Sequence, residues 1–322
     1  MPIPATQFIW FNGKLVPWEK ATVHVLAHAL HYGSSVFEGV RAYETPRGVA
    51  IFRLRDHTRR LFDSARIYRI NMPYSGEALN DACRQVIAAN ALKRGAYIRP
   101  VVFKGYGEIG VSPKNDPPTD VAVAAWEWGK YLSAHEQEEA GVDVCISSWN
   151  RVAPNTLPAL AKAAGNYLSS QLIAGEARRL GFSEGIGLTT DGNLSEGSGE
   201  NLFLVKDGVL LTPALAHSVL GGLTRDTVMR MARERGLEVR ECTIPREFLY
   251  LVDEAFFTGT AVEITAIRSV DGIQIGPGKT GPVTESLQNA FYGLFSGKTA
   301  DKWGWLDYVD MSAPRAAAAA SG

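Results

Sequence analysis

Four short clusters in this 322-residue chain carry residue types that could do chemistry. The first surrounds Lys162 in Leu157-Pro158-Ala159-Leu160-Ala161-Lys162-Ala163-Ala164-Gly165-Asn166-Tyr167. Small apolar neighbours suit a desolvated amine, and a neutral amine is the form that condenses with an aldehyde. A lysine snorkelling from a surface helix has the same local sequence, and composition alone favours that reading. The second cluster, Ser195-Glu196-Gly197-Ser198-Gly199-Glu200-Asn201-Leu202-Phe203, brackets glycines with two carboxylates. Glycines let backbone approach a ligand closely, although a bulged turn with exposed acids reads the same way. The third, Leu220-Gly221-Gly222-Leu223-Thr224-Arg225-Asp226, is a glycine turn opening a helix. Its free N–H groups and hydroxyl suit a phosphate; a capped loop is the plainer alternative. The fourth, Thr258-Gly259-Thr260-Ala261, places two hydroxyls at a strand end.

Other patterns point away from familiar chemistries. Gly105-Tyr106-Gly107-Glu108-Ile109-Gly110 spells GxGxxG after a strand, but Ser112-Pro113 and Pro117-Pro118 forbid the helix that a dinucleotide site needs. A structural or substrate-site loop is expected there. His24, His28 and His31 have the spacing of one helical face but lack a nearby acid and any HExxH, so packing roles are expected and no metal site. No GxSxG occurs, which leaves serine hydrolysis unsupported.

Several elements must position these clusters. Phe8–Phe11 and Lys14–Val16 flank Asn12-Gly13, whose tolerance of positive φ predicts a tight hairpin. Strands are expected over Val36–Tyr43, Val49–Leu54, Ala96–Lys104 and Asp120–Trp128. A helix is expected over Asp56–Tyr68, with Leu61, Phe62, Ala65 and Tyr68 on one face. Another is capped by Ser75 and runs to about Lys93, with Leu79, Cys83, Val86, Ile87 and Asn90 inward. Beyond Gly129–Ala140 the pattern predicts a strand at Asp143–Trp149 and a helix over about Leu160–Arg179. A run of strands from Gly185 to Thr212 turns at Lys206-Asp207-Gly208; a helix starts near Thr224, a hairpin turns at Asp271-Gly272, and a last helix spans about Val283–Phe295. Strands and helices are segregated, which favours α+β over a doubly wound sheet.

Composition narrows the function classes. Hydrophobic residues at 46% and charged residues at 21% are ordinary for a globular protein and exclude a disordered chain. A net charge of -1 demotes nucleic-acid binding. No apolar run approaches the ~20 residues of a membrane span, and Met1-Pro2-Ile3-Pro4-Ala5 lacks the makings of a signal peptide. Cys83, Cys145 and Cys242 are scattered, so a reduced, cytoplasmic protein without disulfides is expected.

Taken together and in this order, the clusters resemble the branched-chain aminotransferases, fold type IV pyridoxal-phosphate enzymes, most of all the bacterial biosynthetic type. The resemblance runs from Phe8 to about Val309. It rests most on His31-Tyr32-Gly33 with Val36-Phe37-Glu38-Gly39, Tyr97-Ile98-Arg99-Pro100, Ser147-Ser148-Trp149-Asn150-Arg151, Lys162 to Ser170, Ser195 to Phe203, and Lys302-Trp303-Gly304-Trp305. It implies a small α+β domain at 1–130, a connection at 131–140, and a larger pseudo-barrel domain at 141–311 that binds pyridoxal 5′-phosphate, with the site at the domain junction. The alanine-rich tail 312–322 reads as disordered. The resemblance makes Lys162 the Schiff-base lysine, Tyr167 the hydroxyl near the phenolic oxygen, Glu196 the partner of the pyridine nitrogen and Leu220 the side chain under the ring. Arg60, Leu223, Thr224 and Thr260 become the phosphate ligands. Tyr32, Phe37, Tyr97, Arg99, Val111, Trp126, Tyr131, Thr260 and Ala261 become substrate positions, with Tyr32 and Val111 supplied by a neighbouring subunit. The implied reaction moves an amino group between L-leucine, L-isoleucine or L-valine and 2-oxoglutarate in two half-reactions. The implied assembly is at least a homodimer, with a homohexamer also open. A D-amino-acid or (R)-amine transaminase and an aminodeoxychorismate lyase share the fold, but Tyr97-Ile98-Arg99-Pro100 favours the branched-chain group.

Overall fold

The computed structural model describes residues 3–128 and 141–312. Tyr131, the expected connection 131–140 and residues 313–322 of the expected tail lie outside the described residues. The chain forms two compact units; among the described residues one holds 3–128, 161–165 and 295–312, the other 141–160 and 166–294.

The first unit is built on an antiparallel sheet. Its strands are β1 (Phe8–Phe11), β2 (Lys14–Pro17), β3 (Ser35–Phe37), β4 (Val40–Thr45), β5 (Gly48–Phe52), β6 (Ala96–Lys104) and β7 (Thr119–Trp126). A last strand at Leu306–Tyr308 pairs with β5, giving the order Leu306–Tyr308, β5, β4, β6, β7, β1, β2, with β3 also on β6. Asn12 and Gly13 turn the first hairpin with φ of 45° and 93°, the left-handed pair that a two-residue turn requires. The short helix α1 (His28–Tyr32) is followed by α2 (Leu54–Ile67) and α3 (Gly76–Ala89). Ser75 caps α3, accepting a hydrogen bond from the Ala78 N–H. The inward faces of α2 and α3, including Leu61, Ala65, Leu79, Cys83, Val86 and Ile87, share one apolar core with Ile98, Val102, Val121 and Val123 of the sheet.

Three expectations are corrected in detail. Val36–Tyr43 is not one strand: it divides at Glu38 and Gly39 into β3 and β4, opposite Pro100 of β6, which has no N–H to give to the ladder. A second domain running unbroken from 141 to 311 is not observed, because pairing with β5 returns the C-terminal strand to the first unit. The helix expected from Leu160 begins only at Tyr167, and Lys162 lies outside it, in a tight turn where the Ala163 N–H donates to the Ala161 carbonyl. Ala163 forms a β-bridge with Val36, and the Lys162 carbonyl accepts from the Phe37 N–H at 3.0 Å, so tertiary pairing has taken the backbone groups that a helix would have used.

The second unit comprises β8 (Val142–Ile146), α4 (Tyr167–Arg179), β9 (Glu184–Leu188), β10 (Leu194–Gly197), β11 (Asn201–Lys206), β12 (Val209–Pro213), α5 (Leu223–Glu234), β13 (Val239–Cys242), β14 (Glu254–Gly259), β15 (Glu263–Val270), β16 (Ile273–Gln274) and α6 (Pro282–Ser296). Six of these strands pair in a ring, β8–β9–β10–β11–β14–β15 and back to β8. Ring closure removes the free edges that an open sheet would expose. Its interior is apolar, with Val144, Ile186, Leu194, Leu202, Leu204, Phe257 and Ile267 all buried. The ring closes between β10 and β11, where Glu196 stands opposite Asn201. Among the described residues no helix is long and apolar enough to cross a membrane.

Candidate active site

In the first unit, the backbone around Lys162 is pinned on two sides. Its N–H donates to the Ser64 hydroxyl at 3.0 Å, and that hydroxyl donates to the Arg60 carbonyl on α2 at 2.8 Å. On the other side its carbonyl is held by Phe37 of β3. The half-buried side chain lays its Nζ 5.3 Å from the centre of the Phe37 ring. The Arg99 guanidinium lies 4.7 Å from the same ring and 5.4 Å from that of Tyr97, close enough for cation–π attraction. Tyr97 and Trp126 are cross-strand partners on β6 and β7, with ring centres 5.4 Å apart. Lys162, Phe37, Tyr97, Arg99 and Trp126 are therefore one connected cluster. Among the described residues, Arg99 Nε and Trp126 Nε1 are buried without a hydrogen-bond partner. A Cβ on Gly39 would lie 1.9 Å from the Tyr97 hydroxyl, so only glycine lets that ring reach its place.

Arg60 comes with a partner that the sequence did not single out. Its Nε donates to Glu38 Oε1 at 2.7 Å and its second guanidinium nitrogen to Oε2 at 2.8 Å. His57 Nδ1 completes the arrangement at 2.7 Å from Oε2. Glu38 is fully buried. Burial disfavours its charge, but the Arg60 guanidinium and the contact with His57 outweigh burial and hold the carboxyl well below the usual carboxylate range. Burial pushes His57 down, and the positive charges of Arg60 and Lys162 act in the same direction against the pull of Glu38. A neutral imidazole donating Nδ1–H to an ionised carboxylate satisfies both.

Tyr32 and Val111 lie on the surface of this unit, 42% and 89% exposed. Helix α1 and the loop around Val111 are tied together: His28 N–H donates to the Gly105 carbonyl, and His28 Nε2 lies 2.8 Å from the Gly110 carbonyl. The segment 105–118 is a loop, as the prolines require. His24, His28 and His31 each make hydrogen bonds within the unit, to Leu26, to Ser34 and Gly110, and to Val25 respectively.

In the second unit Glu196 is buried and surrounded by donors. Arg151 donates to Oε1 at 2.6 Å; the Asn201 Nδ2 and the Leu220 N–H each donate to Oε2 at 3.0 Å. Arg151 also reaches the Ser170 hydroxyl at 3.1 Å, which fixes it against α4. Leu220 leads through Gly221 and Gly222 into α5, whose N-cap is Gly222 and therefore supplies no capping side chain. Leu223 and Thr224 form the first turn of that helix, where N–H groups and the macrodipole favour an anion. Thr260 and Ala261 are half-buried in the turn between β14 and β15, and Tyr167 opens α4. Glu38, His57, Arg151 and Asn201 are the site residues that sequence reasoning left without a role. The only signal for Glu38, Arg151 and Asn201 was membership of the segments Val36-Phe37-Glu38-Gly39, Ser147 to Arg151 and Ser195 to Phe203; His57 lay in none of them.

Comparison with known proteins identifies the family and its relatives. The profile of the amino-transferase class IV family matches residues 35–270. The branched-chain-amino-acid aminotransferase of Escherichia coli K12 is 56% identical over 311 residues, 97% of this chain and 100% of its own. A crystal structure of the Escherichia coli branched-chain amino acid aminotransferase superposes with a TM-score of 0.93 at 56% identity, covering 95% of this chain and 100% of that one. The branched-chain amino acid aminotransferase of Thermobaculum terrenum, in its PLP-bound holo form, gives a TM-score of 0.87 at 33% identity, over 95% of this chain and 99% of that one.

Proposed function

Because the chain belongs to the amino-transferase class IV family, as a branched-chain aminotransferase with pyridoxal 5′-phosphate for its cofactor, we propose that it moves the amino group between L-leucine, L-isoleucine or L-valine and 2-oxoglutarate. The two half-reactions alternate on one site, ping-pong, in the service of branched-chain amino acid metabolism in the cytoplasm. When bound, the cofactor supplies an electron sink for the bond broken at the substrate Cα.

The residues suit that cofactor on three counts. Glu196, a carboxylate held by three donors, suits a protonated pyridine nitrogen. The Gly221-Gly222 entry to α5, with the Thr224 hydroxyl, suits a phosphate dianion, joined by Thr260. Arg60, aimed by Glu38, adds a fixed positive charge for the same group. Tyr167 would serve the phenolic oxygen and Leu220 the face of the ring. Lys162 Nζ would hold the cofactor and, once released, would serve as the base for the Cα proton.

The observation that carries the substrate reading is the shared Phe37 ring, with the Lys162 amine and the Arg99 guanidinium both lying against it. Phe37 and Trp126 offer apolar surface to an aliphatic side chain, while Arg99, with Tyr97, offers charge to the distal carboxylate of 2-oxoglutarate. Tyr131 and Ala261 would complete the pocket. Tyr32 and Val111 would complete a neighbouring subunit's pocket, making a homodimer the working unit. The exposed apolar residues Val25, Leu30, Tyr32, Tyr106, Ile109 and Val111, on segments bridged at Ala27 and Tyr106, support such a face.

Two substitutions test the reading. Lys162→Ala should abolish turnover and remove the mass added on borohydride reduction of the cofactor-loaded protein; a variant that transaminates at the normal rate overturns the assignment. Arg99→Met should slow the 2-oxoglutarate half-reaction by roughly 10- to 100-fold, the worth of a hydrogen bond to a charged group. The leucine half-reaction should lose far less, as stopped-flow of each half-reaction would show. Equal losses would mean that Arg99 serves the α-carboxylate common to both substrates.

A further inference from the structure

We infer that Asn201 is a positioning residue that locks the Glu196 carboxylate to the glycine turn of α5, so that the pyridine-nitrogen end and the phosphate end of the cofactor are recognised as one rigid unit. The inference deepens the proposed function and rests on its assignment of Glu196 and the 220–224 turn to the cofactor.

Three residues, Glu196, Asn201 and Leu220, close a ring of hydrogen bonds. Asn201 Nδ2 donates to Glu196 Oε2 at 3.0 Å and to the Leu220 carbonyl at 2.9 Å, while the Leu220 N–H donates back to Glu196 Oε2 at 3.0 Å. An amide nitrogen has two protons, and both are used here. Because both neighbours are acceptors, the amide can face only one way. Its oxygen then points at the turn: a Cβ on Gly222 would lie 1.8 Å from Asn201 Oδ1. Gly222 has φ of -66° and ψ of 136°, values open to any residue, so space rather than backbone conformation demands glycine there. Asn201 is itself buried and fixed by the strand pairing that closes the barrel, opposite Glu196 on one side and Thr258 on the other. Its side chain thus has a rigid base, one arm on the carboxylate and its bulk against the turn.

The test uses two probes on the apoprotein, pyridoxal 5′-phosphate and inorganic phosphate, with urea unfolding alongside. Inorganic phosphate does not need Glu196, so its affinity reports the phosphate ligands, of which Asn201→Ala and Gly222→Ala disturb only the turn. Asn201→Ala should weaken both probes, pyridoxal 5′-phosphate by roughly 10- to 100-fold, while the urea midpoint stays near that of the parent protein. Gly222→Ala, which forces the Asn201 amide aside, should reproduce those losses. Glu196→Gln should keep the phosphate affinity. Unchanged phosphate affinity in both Asn201→Ala and Gly222→Ala overturns the inference while leaving the cofactor assignment standing. A collapsed urea midpoint in both reduces Asn201 to barrel closure and also overturns it. A parent apoprotein that binds neither probe overturns the cofactor assignment beneath it.

Discussion

Two buried carboxylates, one in each unit, are held by arginines in opposite senses. Glu38 gives both oxygens to side chains that carry or can carry positive charge, Arg60 twice and His57 once. Glu196 gives one oxygen to Arg151 and the other to two neutral N–H donors, of Asn201 and Leu220. On the proposed reading, Glu38 braces Arg60 for the cofactor phosphate, whereas Arg151 braces Glu196 for the pyridine nitrogen. A buried ion pair has no fixed direction of service; its remaining partners decide which member is working and which is bracing.

The largest way to break this comparison is Glu38→Ala. Removing one partner of a buried pair leaves an uncompensated charge, at a cost of about 3–5 kcal/mol. Urea unfolding of the apoprotein should show that loss, and a change of the size seen at an exposed position would mean that Arg60 does not depend on Glu38. Next in size, Glu196→Gln should slow Cα proton removal by roughly 10²-fold, as loss of one preorganised electrostatic partner does. Single-turnover mixing with L-leucine reads this directly, and a rate equal to the parent's would strip Glu196 of its role. The smallest effect is a pH slope at His57. Its pKa is depressed in the fold, so below about 6.5 the unfolded chain takes up a proton that the folded chain refuses. The stability linked to neutral His57 is therefore complete above that pH and is lost as pH falls, by at most about 1.4 kcal/mol per pH unit. His57→Gln should flatten the stability profile between pH 7 and 5 while leaving the acid limb from Glu38. That limb has the same sign: a depressed carboxylate stabilises above its unfolded pKa of about 4.3, and the stabilisation fades as pH falls further. Identical profiles for His57→Gln and the parent would remove His57 from the Glu38 assembly.

What the sequence determined by itself was local. Asn12-Gly13, Ser75 and the spacing of Leu79, Cys83, Val86 and Ile87 act within a few residues, and the hairpin, cap and helix face formed as their side chains dictate. The same held for Lys162, Glu196 and the Gly221-Gly222 turn as residue types, because glycines and an odd lysine are visible without a fold. Tertiary structure decided the rest. Lys162 sits amid good helix formers, yet Phe37 and Ser64 bind its backbone groups, Val36 bridges to Ala163, and the helix starts only at Tyr167. Glu38 meets Arg60 across 22 positions and Arg151 meets Glu196 across 45, distances over which local propensity carries no information. Those meetings are set by which strands pair and where the barrel closes; once the fold has buried one charge, its partner must be there, because an unpaired buried charge is costly.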